Sequence, residues 1–323
     1  METFNSPNHM RKILNTEEKC RDYLEELRWH GEPICPHCGS ISKYHYKLTQ
    51  NGTFKGLYKC RDCRERFTVT IGTMFEGSHI PLYDWFYAIS IFLSHKKGIS
   101  SAQLARDINV TQKTAWFMLQ RIRQNMKDDD ATFDDMTQMD ETYMGGKTSA
   151  KHQGRRKSKA SKTGKKNMGR SVATKAPIFG MITGGKVFAQ VVPDAQAETL
   201  LPIINDRVKK GSTVITDGLS SYNGLSENYT HKVILHSKQI YCVDGFHTNS
   251  IEGFWSHIKR GVLGIYHMVS KKHLPKYCKE FVFRYNTRKL TDVERICQFL
   301  QGFTERMYYG ELLMKPEWVW ESK

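Results

Sequence analysis

Two Cys-x-x-Cys pairs, CPHC at 35–38 and CRDC at 60–63, constrain this chain more than any other feature. Four thiolates at that spacing suit tetrahedral zinc, and turn-type residues such as Gly39 follow the knuckles. Between the pairs, KYHYKL and TFKGLYKC read as strands. So short a segment builds little core, and bound metal is expected to supply much of its folding free energy. A redox dithiol would need only one pair. His37 and His45 are further possible ligands, but Cys35, Cys38, Cys60 and Cys63 already complete a shell. Cys20, Cys242, Cys278 and Cys297 are scattered and read as buried thiols.

With 323 residues the chain is too long for one small core, and two or three domains are expected. No run of eighteen apolar residues appears, and the amino terminus lacks the apolar core of a signal peptide. A soluble, cytoplasmic protein that uses no membrane is expected. The formal net charge of +16 points toward nucleic acid as partner.

Residues 81–126 carry three successive helical patterns. Leu82, Trp85, Phe86, Ile89 and Leu93 make the first. Ser100 or Ser101 caps the second, and Thr111 caps a third that holds Ala115, Met118, Leu119 and Ile122. The order resembles a helix-turn-helix, with Gln112, Lys113 and Thr114 exposed at the start of a recognition helix. The plain alternative is a small helical bundle without DNA contact. An acidic stretch, DDDATFDD at 128–135, marks a boundary. Residues 147–170 hold ten Lys or Arg and no acid, including Arg155, Arg156 and Lys157, as a nonspecific phosphate binder would.

The remaining pattern is a strand with Asp140, a hairpin about Gly184-Gly185, a helix ended by Gly211, a strand closing on Asp217, another strand in HKVILH, then a helical region reaching about Arg288. In HTNSIEGFWSHIKRG, residues 247–261, Ile251, Phe254, Trp255 and Ile258 form a buried stripe. Asn249, Glu252 and Lys259 flank it. The succession resembles a ribonuclease-H-like arrangement, a mixed sheet with carboxylates at adjacent strand ends and another on a later helix. Clustered carboxylates repel, so Asp140, Asp217 and Glu252 make chemical sense around a hard cation, Mg²⁺ or Mn²⁺. Two such ions can serve phosphoryl transfer. Glu141 is expected on the opposite side of its strand, a second choice. Singly, Asp217-Gly218 reads equally well as a turn, Asp140 as a turn cap, Lys259 as a solvated flank, His247 as a cap or phosphate contact, and Trp255 as core.

Taken together, CPHC…CRDC, MDETYMGGK, TDGLSSY and HTNSIEGFWSHIKRG resemble the DDE-type insertion-sequence transposases that carry an N-terminal zinc ribbon and helix-turn-helix, bacterial relatives of the Merlin elements. The resemblance spans roughly residues 30–290. It implies Asp140 and Asp217 as metal ligands, Glu252 as third acid with Asn249 as rival ligand or DNA contact, and Lys259, with Arg260 beside it, against DNA phosphate. It also implies binding to element ends, hydrolysis that frees a 3′-OH, and strand transfer to target DNA. Double-stranded DNA is the expected partner, with a homodimer or higher assembly on it. A catalytically silent DNA-binding regulator and a ribonuclease-H-like nuclease or resolvase are the competing readings. The expected division is an N-terminal helix and zinc ribbon over 1–78, a helix-turn-helix domain over 79–127, an α/β catalytic domain over 136–290, and a C-terminal helical extension over 291–323.

Overall fold

The computed structural model describes residues 4–127, 132–145, 175–235, 242–302 and 306–314. The chain forms two compact units, Met1–Lys127 with Thr287–Glu311, and Asp128–Asn286 with Leu312–Lys323. No described helix is long and apolar enough to cross a membrane.

In the first unit, α1 (Pro7–Ile13) and α2 (Glu17–Trp29) start at Ser6 and Thr16, whose hydroxyls accept from the backbone N–H groups of His9 and Lys19. A three-stranded antiparallel sheet follows, β1 (Tyr46–Gln50), β2 (Thr53–Lys59) and β3 (Arg66–Phe67). Its small core is aromatic: Trp29 of α2 meets Tyr58 and Phe67 edge-on at 5.5 and 5.8 Å.

Three helices come next: α3 (Leu82–Ser94), α4 (Ser101–Asp107) and α5 (Gln112–Gln124). Every apolar position expected of the first is buried. Ser100, not Ser101, caps α4, and Thr111 caps α5. Asn109 turns the chain between them at φ 52, a left-handed conformation that asparagine tolerates.

The second unit is built on a five-stranded mixed sheet in the order β6-β5-β4-β7-β8. Its strands are β4 (Thr137–Met144), β5 (Ala176–Thr183), β6 (Lys186–Val191), β7 (Thr213–Asp217) and β8 (Thr230–Ile234). β4, β5 and β6 pair antiparallel, whereas β4, β7 and β8 run parallel. Gly184 and Gly185, both at positive φ, close the β5–β6 hairpin in two residues.

Helix α6 (Ala197–Arg207) ends four residues before Gly211, earlier than the sequence suggests. Val208 leaves the helix in extended conformation and bridges to Phe133, so sheet-like pairing displaces the last helical turn. The helical region after residue 247 is also interrupted. Helix α7 (Asn249–Gly261) passes into a π turn over Val262–Tyr266, His267 takes φ 57, and helix resumes in α8 (Leu274–Asn286). Back in the first unit, helix α9 (Asp292–Leu300) begins with a capping box formed by Thr291 and Glu294, and a short helix follows at Tyr309–Leu313.

Two cores sandwich the sheet. Ile178, Ile182, Ile251, Phe254, Trp255 and Phe281 pack on one face, Met139, Phe179, Met181, Leu200 and Tyr222 on the other. Alternation along β5 sends 178 and 182 one way and 179 and 181 the other.

Candidate active site

Parallel pairing between β4 and β7 joins Thr137 to Val214 and Gln138 to Ile215. Two residues further along each strand stand Asp140 and Asp217, so the register sets them opposite one another on the same face. Beyond Gln138, β4 stays paired to β5 as far as Met144, while β7 continues only with β8. Asp140 therefore lies within a strand, not after its end, at the point where that strand has lost one neighbour.

Glu141 belongs to the other face, where the buried Tyr222 hydroxyl donates to its Oε2 at 3.1 Å. Its carboxylate nonetheless joins the group: one oxygen each from Asp140, Glu141 and Asp217 lie within 4.8 Å of one another. Strand alternation indicates a side chain's face but not its reach where no β7 backbone separates the faces. Burial, then the charges of Glu141 and Asp217, push the Asp140 carboxyl up to about 7. The same surroundings drive the Tyr222 hydroxyl well above its ordinary range, burial first and the three acids after it. An all-oxygen donor set that resists full ionisation fits a hard divalent cation, whose charge would relieve the repulsion.

Trp255 of α7 is 3 % exposed and belongs to the core, and its indole N–H also donates to Asp140 Oδ2 at 3.0 Å. The indole reaches that position because residue 180, paired with Asp140 across the sheet, is glycine. A Cβ there would come within 2.5 Å of the Trp255 ring. Gly180→Val is therefore expected to force Trp255 aside, losing this hydrogen bond and costing about 1–3 kcal/mol through overpacking. Thermal unfolding followed by tryptophan fluorescence checks it; a variant with wild-type Tm and emission would contradict the packing.

Asn249, Glu252, Lys259 and Arg260 occupy the exposed side of α7. Glu252 Oε1 accepts from Thr248 Oγ1 at 2.9 Å and is not among the acids of the 4.8 Å group. His247 is half-buried, its Nδ1 at 3.4 Å from Gln138 Nε2.

The four ribbon cysteines also converge. Cys35 and Cys63 sulfurs stand 3.7 Å apart, as do those of Cys38 and Cys60, and all four lie within 4.8 Å. Tetrahedral zinc with Zn–S near 2.3 Å requires sulfur pairs at about 3.8 Å, so the donors fit the metal. Burial works upward on the Cys60 thiol but is outweighed by the N–H groups of Cys63 and Asp62 and by the neighbouring thiols, leaving it at about 6. The histidines serve otherwise. His45 is buried, with Nε2 on the Ser40 carbonyl at 3.2 Å and Nδ1 accepting from Arg61 N at 3.2 Å, so it braces one knuckle against the other. His37 Nε2 meets the Arg66 carbonyl.

At the start of α5, Gln112 and Lys113 are exposed and Thr114 is half-buried. Gln112 Nε2 donates to Ser101 Oγ, the Lys113 ammonium lies 4.8 Å from the Tyr309 ring centre, and Thr114 pairs with Thr111. The basic stretch with Arg155, Arg156 and Lys157 lies outside the described residues.

Comparison with known proteins meets the same two regions. Residues 132–286 match the ISXO2-like transposase domain, and residues 15–66 match a transposase zinc-ribbon domain. A transposase-like protein of Haemophilus influenzae is 35% identical over 119 residues, 36% of this chain and 95% of that protein. The chain belongs to the ISXO2-like transposase family. A protein in transposable element ISH50 of Halobacterium salinarum is 28% identical over 283 residues, 84% of this chain and 92% of that relative. For an ISXO2-like transposase, the acids of the first match and the cysteines of the second are the two groups of potential metal ligands found among the described residues.

Proposed function

We propose that this transposase binds the terminal inverted repeats of its own element, cuts there to free a 3′-OH, and joins that end to target DNA. The observation that carries the reading is the register-matched placement of Asp140 and Asp217 on adjacent parallel strands, with α7 tied to Asp140 through Trp255. The sheet order and its mix of parallel and antiparallel pairs support a ribonuclease-H-like catalytic domain.

Asp140 and Asp217 would hold Mg²⁺ or Mn²⁺, with Glu252 or Asn249 as the residue completing the site from α7. Glu141 stands near enough to compete for the role of third acid. The bound cation would supply Lewis-acid stabilisation of charge on the phosphoryl oxygens. Lys259 and Arg260, exposed along α7, would hold DNA phosphate beside the acids. In the first reaction water attacks the phosphodiester and the 3′ oxygen leaves; in the second that 3′-OH attacks a target phosphodiester and the target strand's own 3′ oxygen leaves. Neither needs a covalent bond to the protein.

Upstream, the helix order supports a helix-turn-helix in which Gln112, Lys113 and Thr114 face base edges. The zinc ribbon and the basic residues Arg155, Arg156 and Lys157 would add backbone contacts, and two bound ends call for at least a dimer.

The test incubates the full chain with duplex element ends and Mg²⁺. Cleaved ends carrying 3′-OH and joined products are expected from the wild type and not from Asp217→Asn. Wild-type activity in Asp217→Asn would overturn the assignment.

A further inference from the structure

Gln138 is buried on β4, two residues before Asp140 and on the same face. Its Oε1 accepts from the backbone N–H of Ser250 at 3.0 Å and of Ile251 at 3.3 Å. Its Nε2 reaches Ser250 Oγ at 3.3 Å and His247 Nδ1 at 3.4 Å. The first N–H groups of a helix need acceptors from outside the helix, and Thr248 at the N-cap of α7 supplies none from its side chain. A strand residue thus does the work of the missing cap.

The spacing of the contacts matches on both elements. Gln138 to Asp140 is two strand residues, roughly 6.7 Å. Residues 250–251 to Trp255, where the helix touches Asp140, is four or five helical residues, roughly 6–7.5 Å. Helix α7 is therefore pinned to β4 at two points, and Glu252 and Asn249 sit in the turn that Gln138 fixes.

We infer that Gln138 is a positioning residue that docks the first turn of α7 on β4 and so sets where Asn249 and Glu252 stand relative to Asp140. The inference goes beyond the proposed function and rests on it only for the consequence at the metal.

The experiment compares wild type, Gln138→Leu and Gln138→Glu as full chains without DNA, by amide hydrogen exchange and by Mn²⁺ titration. In Gln138→Leu the amides of Ser250 and Ile251 are expected to exchange at least about 10-fold faster with the sheet amides unchanged, and Mn²⁺ affinity to fall about 10–100-fold, as for other groups that orient metal ligands. Gln138→Glu keeps an acceptor for the two N–H groups and is expected to restore their protection. Unchanged protection at 250–251 in Gln138→Leu would overturn the docking role. Lost protection with wild-type Mn²⁺ affinity would make the residue merely structural and overturn the positioning role. A wild type that binds no Mn²⁺ would instead sink the functional reading, leaving exchange to decide the docking.

Discussion

Asp140→Asn is expected to abolish cleavage of element ends, by about 10³-fold or more, and at the same time to stabilise the metal-free protein. The first effect follows if Asp140 is a ligand: an amide carries no charge to balance a divalent cation, and 10³-fold is about 4 kcal/mol of transition-state stabilisation. The second follows from the acid's surroundings. Burial, Glu141 and Asp217 raise the Asp140 carboxyl from 3.8 to about 7. Between those values the folded protein holds a proton that the unfolded chain has released, so stability falls as pH rises through that window. Asparagine has no such charge to bury. In chelator at pH 8 the variant is expected to melt higher than wild type by at least about 3 °C, since each kcal/mol is worth roughly 2–4 °C in a domain of this size. Near pH 4 the two should converge. Calorimetry at both pH values checks this, and a lower Tm for Asp140→Asn at pH 8 would contradict the strained carboxylate.

Removing zinc is expected to unfold the ribbon outright. Binding of structural zinc is worth about 10–16 kcal/mol in small modules, far more than the aromatic cluster of Trp29, Tyr58 and Phe67 can replace. Cys60→Ser should leave the purified chain short of one zinc equivalent, weaken or abolish binding to element ends, and erase the strand signal of the ribbon in amide exchange. Acid should do the same reversibly. Protons compete with zinc for the thiolates, so the metal is expected to leave as pH falls. A chromogenic chelator counts the metal released. Full end binding by a zinc-free protein would show that the ribbon is dispensable for recognition.

Much of the site was legible in the residues because its signals are local. Two Cys-x-x-Cys pairs declare four sulfur donors before any fold is known, and the stripe of Ile251, Phe254, Trp255 and Ile258 declares which side of α7 is buried. The caps were readable for the same reason, Thr111 outright and the other to within one residue, Ser100 or Ser101, since a cap and its helix are adjacent in sequence. The helix ends were harder. Val208 leaves α6 for a partner at Phe133, far away along the chain, and propensity at Gly211 carries no trace of that.

Other features could not be read because they depend on registers between distant strands. Glu141 is an ordinary alternate residue until β7 stops pairing with β4 after Ile215 and its carboxylate can join the two aspartates. Trp255 is a plain core aromatic until Gly180 lets its indole pass to Asp140, and Gln138 is unremarkable in sequence until the first turn of α7 lands on it. By itself the sequence determined the donor types, the helix faces and the family, because composition and period are carried along the chain. Only the tertiary structure decided which acids meet and what holds them there, because a carboxylate's neighbours are set by strand pairing and packing between residues far apart along the chain.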